Sequence, residues 1–138
     1  MAEMKKKVLF VCTHNSARSQ MAEAFLSSTY GDRYEASSAG TEPTGINPRV
    51  VEAMKEIGFD LSRNLSTSVD EFLGKKLDLI VTLCDDARET CPFFPGGLKR
   101  DHQGFKDPGS CSGTEDEIRA CVRRIRDEIA DWVRRYFR

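Results

Sequence analysis

The chain has no apolar run able to cross a bilayer: VLFV at Val8–Val11 and LDLIVTL at 77–83 fall far short of the ~20 residues a spanning helix needs. No secretory h-region follows Met1, so the expected compartment is the cytoplasm. Charge of one sign is missing as well, since 21 Lys and Arg stand against 22 Asp and Glu for a net −1. That balance leaves no basic footprint for nucleic acid and no polybasic block for a membrane surface; Lys5–Lys7 and the C-terminal arginines read as solvated ends. Histidine is scarce, with two in the chain, and no CxxC occurs. Zinc sites pair cysteines about two to four residues apart, so no metal is expected. Five cysteines are an odd count outside a secreted context, which argues against a static disulfide framework and for catalytic or redox thiols. With 138 residues, 39% of them hydrophobic, residues 1–138 suffice for one domain with a buried core.

What is present concentrates early. Cys12 and Arg18 enclose CTHNSAR just where VLFV ends and a helical pattern opens at Ser19. Strand, polar loop and helix in that order describe an oxyanion cradle: backbone N–H groups of Thr13, His14, Asn15, Ser16 and Ala17, the helix N-terminus and the Arg18 guanidinium converge on a tetrahedral anion. The same positive field favours a thiolate at Cys12, the form in which cysteine is a nucleophile. Ser19 is placed to hydrogen-bond the sulfur. A buried cysteine merely ending a core strand accounts for neither Arg18 nor Asn15.

Further along, Met21, Ala22, Phe25, Leu26 and Tyr30 recur at helical spacing, and Tyr34–Ser38 reads as a second strand before a loop from Gly40 to Gly45. Asn47 caps a second helix with Pro48 at its first position; Val50, Val51, Met54 and Ile57 form its inward stripe and Gly58 stops it. Residues 77–83 make a third strand and 98–102 a weaker fourth. Thr114 with Glu117 forms a capping box for the last helix, whose inward stripe is Ile118, Cys121, Val122, Ile125, Ile129, Trp132 and Val133. Alternating strands and helices imply an α/β fold with a parallel sheet, ligands binding beyond its carboxyl edge. Cys12 ends there, and Cys84 follows the third strand onto the same edge. Cys84 and Cys91 frame CDDARETC, which runs into Pro92, Pro95, Gly96 and Gly97, a composition of a mobile loop and of two resolving thiols. His14 reads as a rim residue, His102 as a hydrogen-bonded structural histidine, Cys121 as core and Cys111 as a loop residue.

Taken together, CTHNSARSQMAEA, VTLC, the Cys84 and Cys91 pair, and GFKDP with Asp107 resemble the thioredoxin-coupled arsenate reductases over nearly the whole chain. The resemblance implies the low-molecular-weight tyrosine phosphatase fold, with a four-stranded parallel sheet flanked by helices on both faces. It implies Cys12 as nucleophile, Arg18 as oxyanion clamp, Ser19 as partner of the Cys12 sulfur, Asn15 as loop support, Asp107 as general acid, and Cys84 and Cys91 as resolving thiols. Arsenate would be the substrate, phosphate or sulfate its mimics, and thioredoxin the reductant. Some members hold a potassium ion at positions matching Asn15, Glu23, Ser38 and Thr67; the last is an acid in those members. Two rivals use the same cradle: a phosphatase working through a phosphocysteine, and an anion-binding or redox-sensing module without turnover. In the phosphatases a proline usually follows the loop's Arg-Ser and an aromatic follows Asp-Pro; here Gln20 and Gly109 occupy those places.

Overall fold

The computed structural model describes residues 5–91 and 99–138, apart from the side chains of Asp86 and Thr90. Four parallel strands, β1 (Lys6–Cys12), β2 (Tyr34–Gly40), β3 (Leu79–Thr82) and β4 (Lys99–His102), lie in the order β2-β1-β3-β4. Between and after them run α1 (Arg18–Tyr30), α2 (Pro48–Lys55), α3 (Asp85–Thr90) and α4 (Glu115–Tyr136). β1 is central and buried on both faces, so its residues are apolar without alternation. Val8 and Phe10 point into one core with Met21, Leu26, Met54, Ile129 and Trp132; Leu9 and Val11 point into a second with Ile80, Cys84, Ala87 and Cys91.

The expected architecture is the observed one. The Asn47 side chain accepts from the Arg49 N–H with Pro48 at the first helical position, and Thr114 and Glu117 close their capping box. Several local expectations are corrected. Ile57 is exposed and Ala53 takes its place in the core, because α2 ends at Lys55, before Gly58 turns the chain at positive φ. The expectation of a loop at 84–91 gives way to helix: Cys84 caps α3, its sulfur accepting from the Ala87 N–H, and Ala87 is buried. Pro92, Pro95, Gly96, Gly97 and Leu98 lie outside the described residues. Cys111 and Cys121 are joined in a disulfide, against the expectation that the cysteines would form no static bridge. Proximity decides this: the loop after β4 returns over the first turns of α4 and brings the two Cα atoms to 6.0 Å, within the range a disulfide spans.

β2 ends against the cradle. Gly40 pairs with Cys12 across the sheet, and a Cβ there would stand 2.7 Å from the Asn15 nitrogen and the Thr13 oxygen. Both are backbone atoms, so relief requires moving the loop itself. Gly40→Ala is therefore expected to destabilise the protein by about 1–3 kcal/mol, the usual cost of overpacking, and to weaken phosphate binding. An unchanged denaturation midpoint would show that the loop yields freely.

Candidate active site

The loop between β1 and α1 is shaped by where its carbonyls go. Cys12 O accepts from Thr41 N, Thr13 O from Glu42 N, His14 O from Thr44 N and Ser16 O from Asn47 N. Asn15 O accepts from Ser66 Oγ and Gln20 Nε2. With carbonyls bound outward to segments 41–47 and 66, the N–H on the far side of each peptide faces the concavity. Among the described residues, the N–H groups of His14, Asn15, Ser16 and Ala17 donate to no protein acceptor. Helix α1 adds a bare N-terminus: Ala17, its N-cap, supplies no side-chain bond, and the first turn carries no acid. Such an end attracts an anion.

At the floor of the loop a buried chain of hydrogen bonds ends on the nucleophile. Asn15 sits at φ +49°, a left-handed conformation that asparagine tolerates better than most residues. Its Oδ1 accepts from Thr67 N at 2.9 Å and Gln20 Nε2 at 3.0 Å, which settles the amide's orientation. Nδ2 then points to Ser19 Oγ at 2.8 Å, and Ser19 Oγ lies 2.9 Å from Cys12 Sγ. Because Ser19 already accepts from Asn15, its own proton is free to donate to the sulfur. Gln20 anchors this chain: it is buried, bonds Leu65 O as well, and is itself oriented by Asn64 Nδ2. Sequence reasoning noticed Gln20 only as the place of a missing proline; its pairing with Asn64 and Leu65 is long-range and leaves no local signal.

Arg18 is buried. One guanidinium nitrogen donates to Phe105 O at 3.1 Å, another lies 4.0 Å from Asp107 Oδ2, and Nε has no partner among the described residues. A buried unpaired donor is costly, and an oxyanion held by the loop would satisfy it. Asp107 is half-exposed, its Oδ1 accepting from Gly109 N at 2.9 Å. Arg18 and Asp107 thus meet at one site.

Cys84 reaches the same place. Its sulfur lies 3.3 Å from Thr13 Oγ1, one residue from the nucleophile, because β1 and β3 are parallel neighbours ending on one edge. Cys12, Cys84 and Cys91 are all free thiols and all buried. Cys91 ends α3, its N–H bonded to Ala87 O and its carbonyl to Arg100. Burial pushes its thiol above the ordinary range, with the Arg100 charge opposing.

The remaining candidates fall into place. His14 Nδ1 bonds Glu42 O at the rim, and His102 links Thr82 Oγ1 to Asp85 between β3 and α3. Of the positions matching a potassium site, Thr67 brings no carboxylate, and Asn15 Oδ1 is already occupied by two N–H donors. Burial raises the Glu23 carboxyl, with hydrogen bonds from Ser38 opposing. At these four positions the chain thus offers one carboxylate, Glu23, engaged by Ser38.

Comparison with known proteins agrees with this geometry. The family model described as low molecular weight phosphotyrosine protein phosphatase matches residues 7–137. An arsenate reductase of Halalkalibacterium halodurans is 46% identical over 132 residues, covering 96% of this chain and 95% of that protein. The thioredoxin-dependent arsenate reductase of Corynebacterium glutamicum superposes with TM-score 0.72 at 29% identity, covering 99% of this chain and 62% of that one. The low molecular weight protein tyrosine phosphatase of T. tengcongensis superposes with TM-score 0.78 at 25% identity, covering 96% of this chain and 98% of that one. The chain belongs to the low molecular weight phosphotyrosine protein phosphatase family, and within it stands beside proteins named arsenate reductase.

Proposed function

We propose that the protein reduces arsenate to arsenite by a relay of Cys12, Cys84 and Cys91, with thioredoxin as the reductant. The observation that carries this reading is the second free thiol, Cys84, one residue from the nucleophile at the cradle. A phosphatase needs Cys12 alone.

Arsenate binds in the loop against the N–H groups and Arg18. The Cys12 thiolate attacks arsenic, and an As–O bond breaks as Asp107 gives the departing oxygen a proton. Ser19 and the helix N-terminus hold the thiolate before attack. Cys84 then attacks the Cys12 sulfur, forming a disulfide; the S–As electron pair leaves with arsenic, which departs as arsenite. Cys91 attacks Cys84, freeing Cys12 and leaving a Cys84–Cys91 disulfide for thioredoxin to reduce. The arsenate reductase relatives and the thioredoxin-dependent neighbour support the substrate and the reductant.

The last exchange has a geometric cost. Cys84 and Cys91 flank the helical turns of α3, and a rise of about 1.5 Å per residue separates their Cα atoms by roughly 10 Å. A disulfide spans no more than about 7 Å. Helix α3 must therefore unwind, which also carries Cys91 out of the burial that disfavours its thiolate.

Three outcomes are expected. With thioredoxin, its reductase and NADPH, arsenate should drive NADPH consumption that phosphate does not, and Cys12→Ser should abolish it in a folded protein; turnover by that variant would remove Cys12 as nucleophile. Asp107→Asn should slow single-turnover arsenate reduction by roughly 10²-fold or more, the usual worth of a general acid. An unchanged rate would remove Asp107 from the chemistry. Cys91→Ser should stop after one turnover as a Cys12–Cys84 disulfide, and amides of Asp85–Thr90 should exchange faster in the oxidised wild type. Repeated turnover by Cys91→Ser, or equal exchange in both redox states, would contradict the relay or the unwinding respectively.

A further inference from the structure

The relay leaves the Cys111–Cys121 disulfide without a task. It lies at one end of the segment that carries Asp107. At the other end, Phe105 N donates to Leu83 O, Phe105 O accepts from Arg18, and the Phe105 ring packs edge-on against Trp132 at 5.7 Å. Both ends are thus fastened to α4, through Trp132 and through Cys121. Between them stand Lys106, Asp107, Gly109 and Ser110, all exposed, with Pro108 alone buried. Asp107 takes its orientation from the short 3-10 turn Pro108–Ser110, whose bonds run Gly109 N to Asp107 Oδ1, Ser110 N and Oγ to Asp107 O, and Cys111 N to Pro108 O. The turn's last bond is made by the disulfide-linked residue itself.

We propose that the Cys111–Cys121 disulfide is a positioning element for Asp107, holding the acid segment in register with Arg18 and the Cys12 cradle. This rests on the reading of Asp107 as general acid. A carboxyl that must reach a departing oxygen loses much of its effect when its backbone wanders by about 1 Å. A short exposed segment tethered at one end only has that freedom, and cross-linking its second end removes it. The bond is half-exposed on the core's margin. A dithiol reductant opens it by ordinary exchange: one thiolate attacks Cys111 or Cys121, the mixed disulfide resolves, and two electrons and two protons pass to the protein as two thiols. The dithiol class that recycles Cys84 and Cys91 therefore also bears on the placement of the acid.

The test compares wild type, C111S/C121S, D107N and the triple variant, with the wild-type bond verified closed by peptide mapping and Cys12, Cys84 and Cys91 reduced. Arsenate is given in a single turnover without thioredoxin, and phosphate affinity is measured separately. C111S/C121S should bind phosphate within about twofold of wild type, because the cradle does not include the pair, yet reduce arsenate roughly 10-fold more slowly, a fraction of the worth of a general acid. In the D107N background the same pair of substitutions should change the rate by no more than about twofold, the ordinary scatter of such comparisons, because an effect exerted through Asp107 is lost with it. Should C111S/C121S fail to fold, wild type with this bond opened by a dithiol serves for the same measurements. A wild-type rate with the bond absent while D107N is slow would overturn the positioning role alone, as would an equal loss with and without Asp107. A D107N protein as fast as wild type would overturn the acid, and the positioning role with it.

Discussion

The orientation of one side-chain amide, that of Asn15, is the constraint on which the site depends. Its oxygen is held by two N–H donors, Thr67 and Gln20, so its nitrogen has one direction left, toward Ser19. Ser19, accepting there, has its own proton free for the Cys12 sulfur. The same residue bends the loop through positive φ while its carbonyl is bound outward, and the peptides around it follow. A thiolate donor and an oxyanion cradle thus come from one preorganised arrangement, whose cost is met by folding rather than at each encounter with substrate.

The second arrangement is topological. Parallel neighbours end on the same edge, so the residue after β3 arrives beside the residue after β1 without any designed contact between distant loops. Helix α3 then holds a third free thiol, Cys91, buried at its far end. The helix is small: six residues, with Ala87 the buried anchor among its described side chains; a unit of that kind is the sort that opens locally. Helix α4 plays the opposite part. Arg49, Arg119, Arg123 and Arg126 pair with Glu115, Glu52 and Glu56 to bind α2 to α4, and Trp132 and Cys121 fasten the segment from Phe105 to Cys111 to α4.

Much of this was legible beforehand, for identifiable reasons. Caps are local: Asn47–Pro48 and Thr114–Glu117 announce their helices within four residues, and both did so correctly. Periodicity marked β1 and α4 because burial on both faces, or on one stripe, leaves a pattern. The segment at 84–91 misled because its buried positions, Cys84, Ala87 and Cys91, are two thiols and an alanine in a polar run that leads into prolines and glycines, while the helix rests on the Cys84 cap and on packing against β1 and β3. Ile57 misled because a period continues on paper where the helix has ended. Arg126, buried and bonded to Ala53 O, has no sequence sign at all.

The linear order of residues carried the strand-loop-helix around Cys12, the spacing to Arg18, and the expectation of Cys84 on the same edge, because each rests on contacts between near neighbours or on the handedness of parallel crossovers. It did not carry the partners of Asn15 and Gln20 at Leu65 and Thr67, the bond of Arg18 to Phe105 O, or the pairing of Cys111 with Cys121. Those depend on how loops far apart in the chain return over the sheet edge and α4. A hydrogen bond or disulfide forms only where two groups are brought within a few ångströms, and across such separations only the packed fold sets that distance.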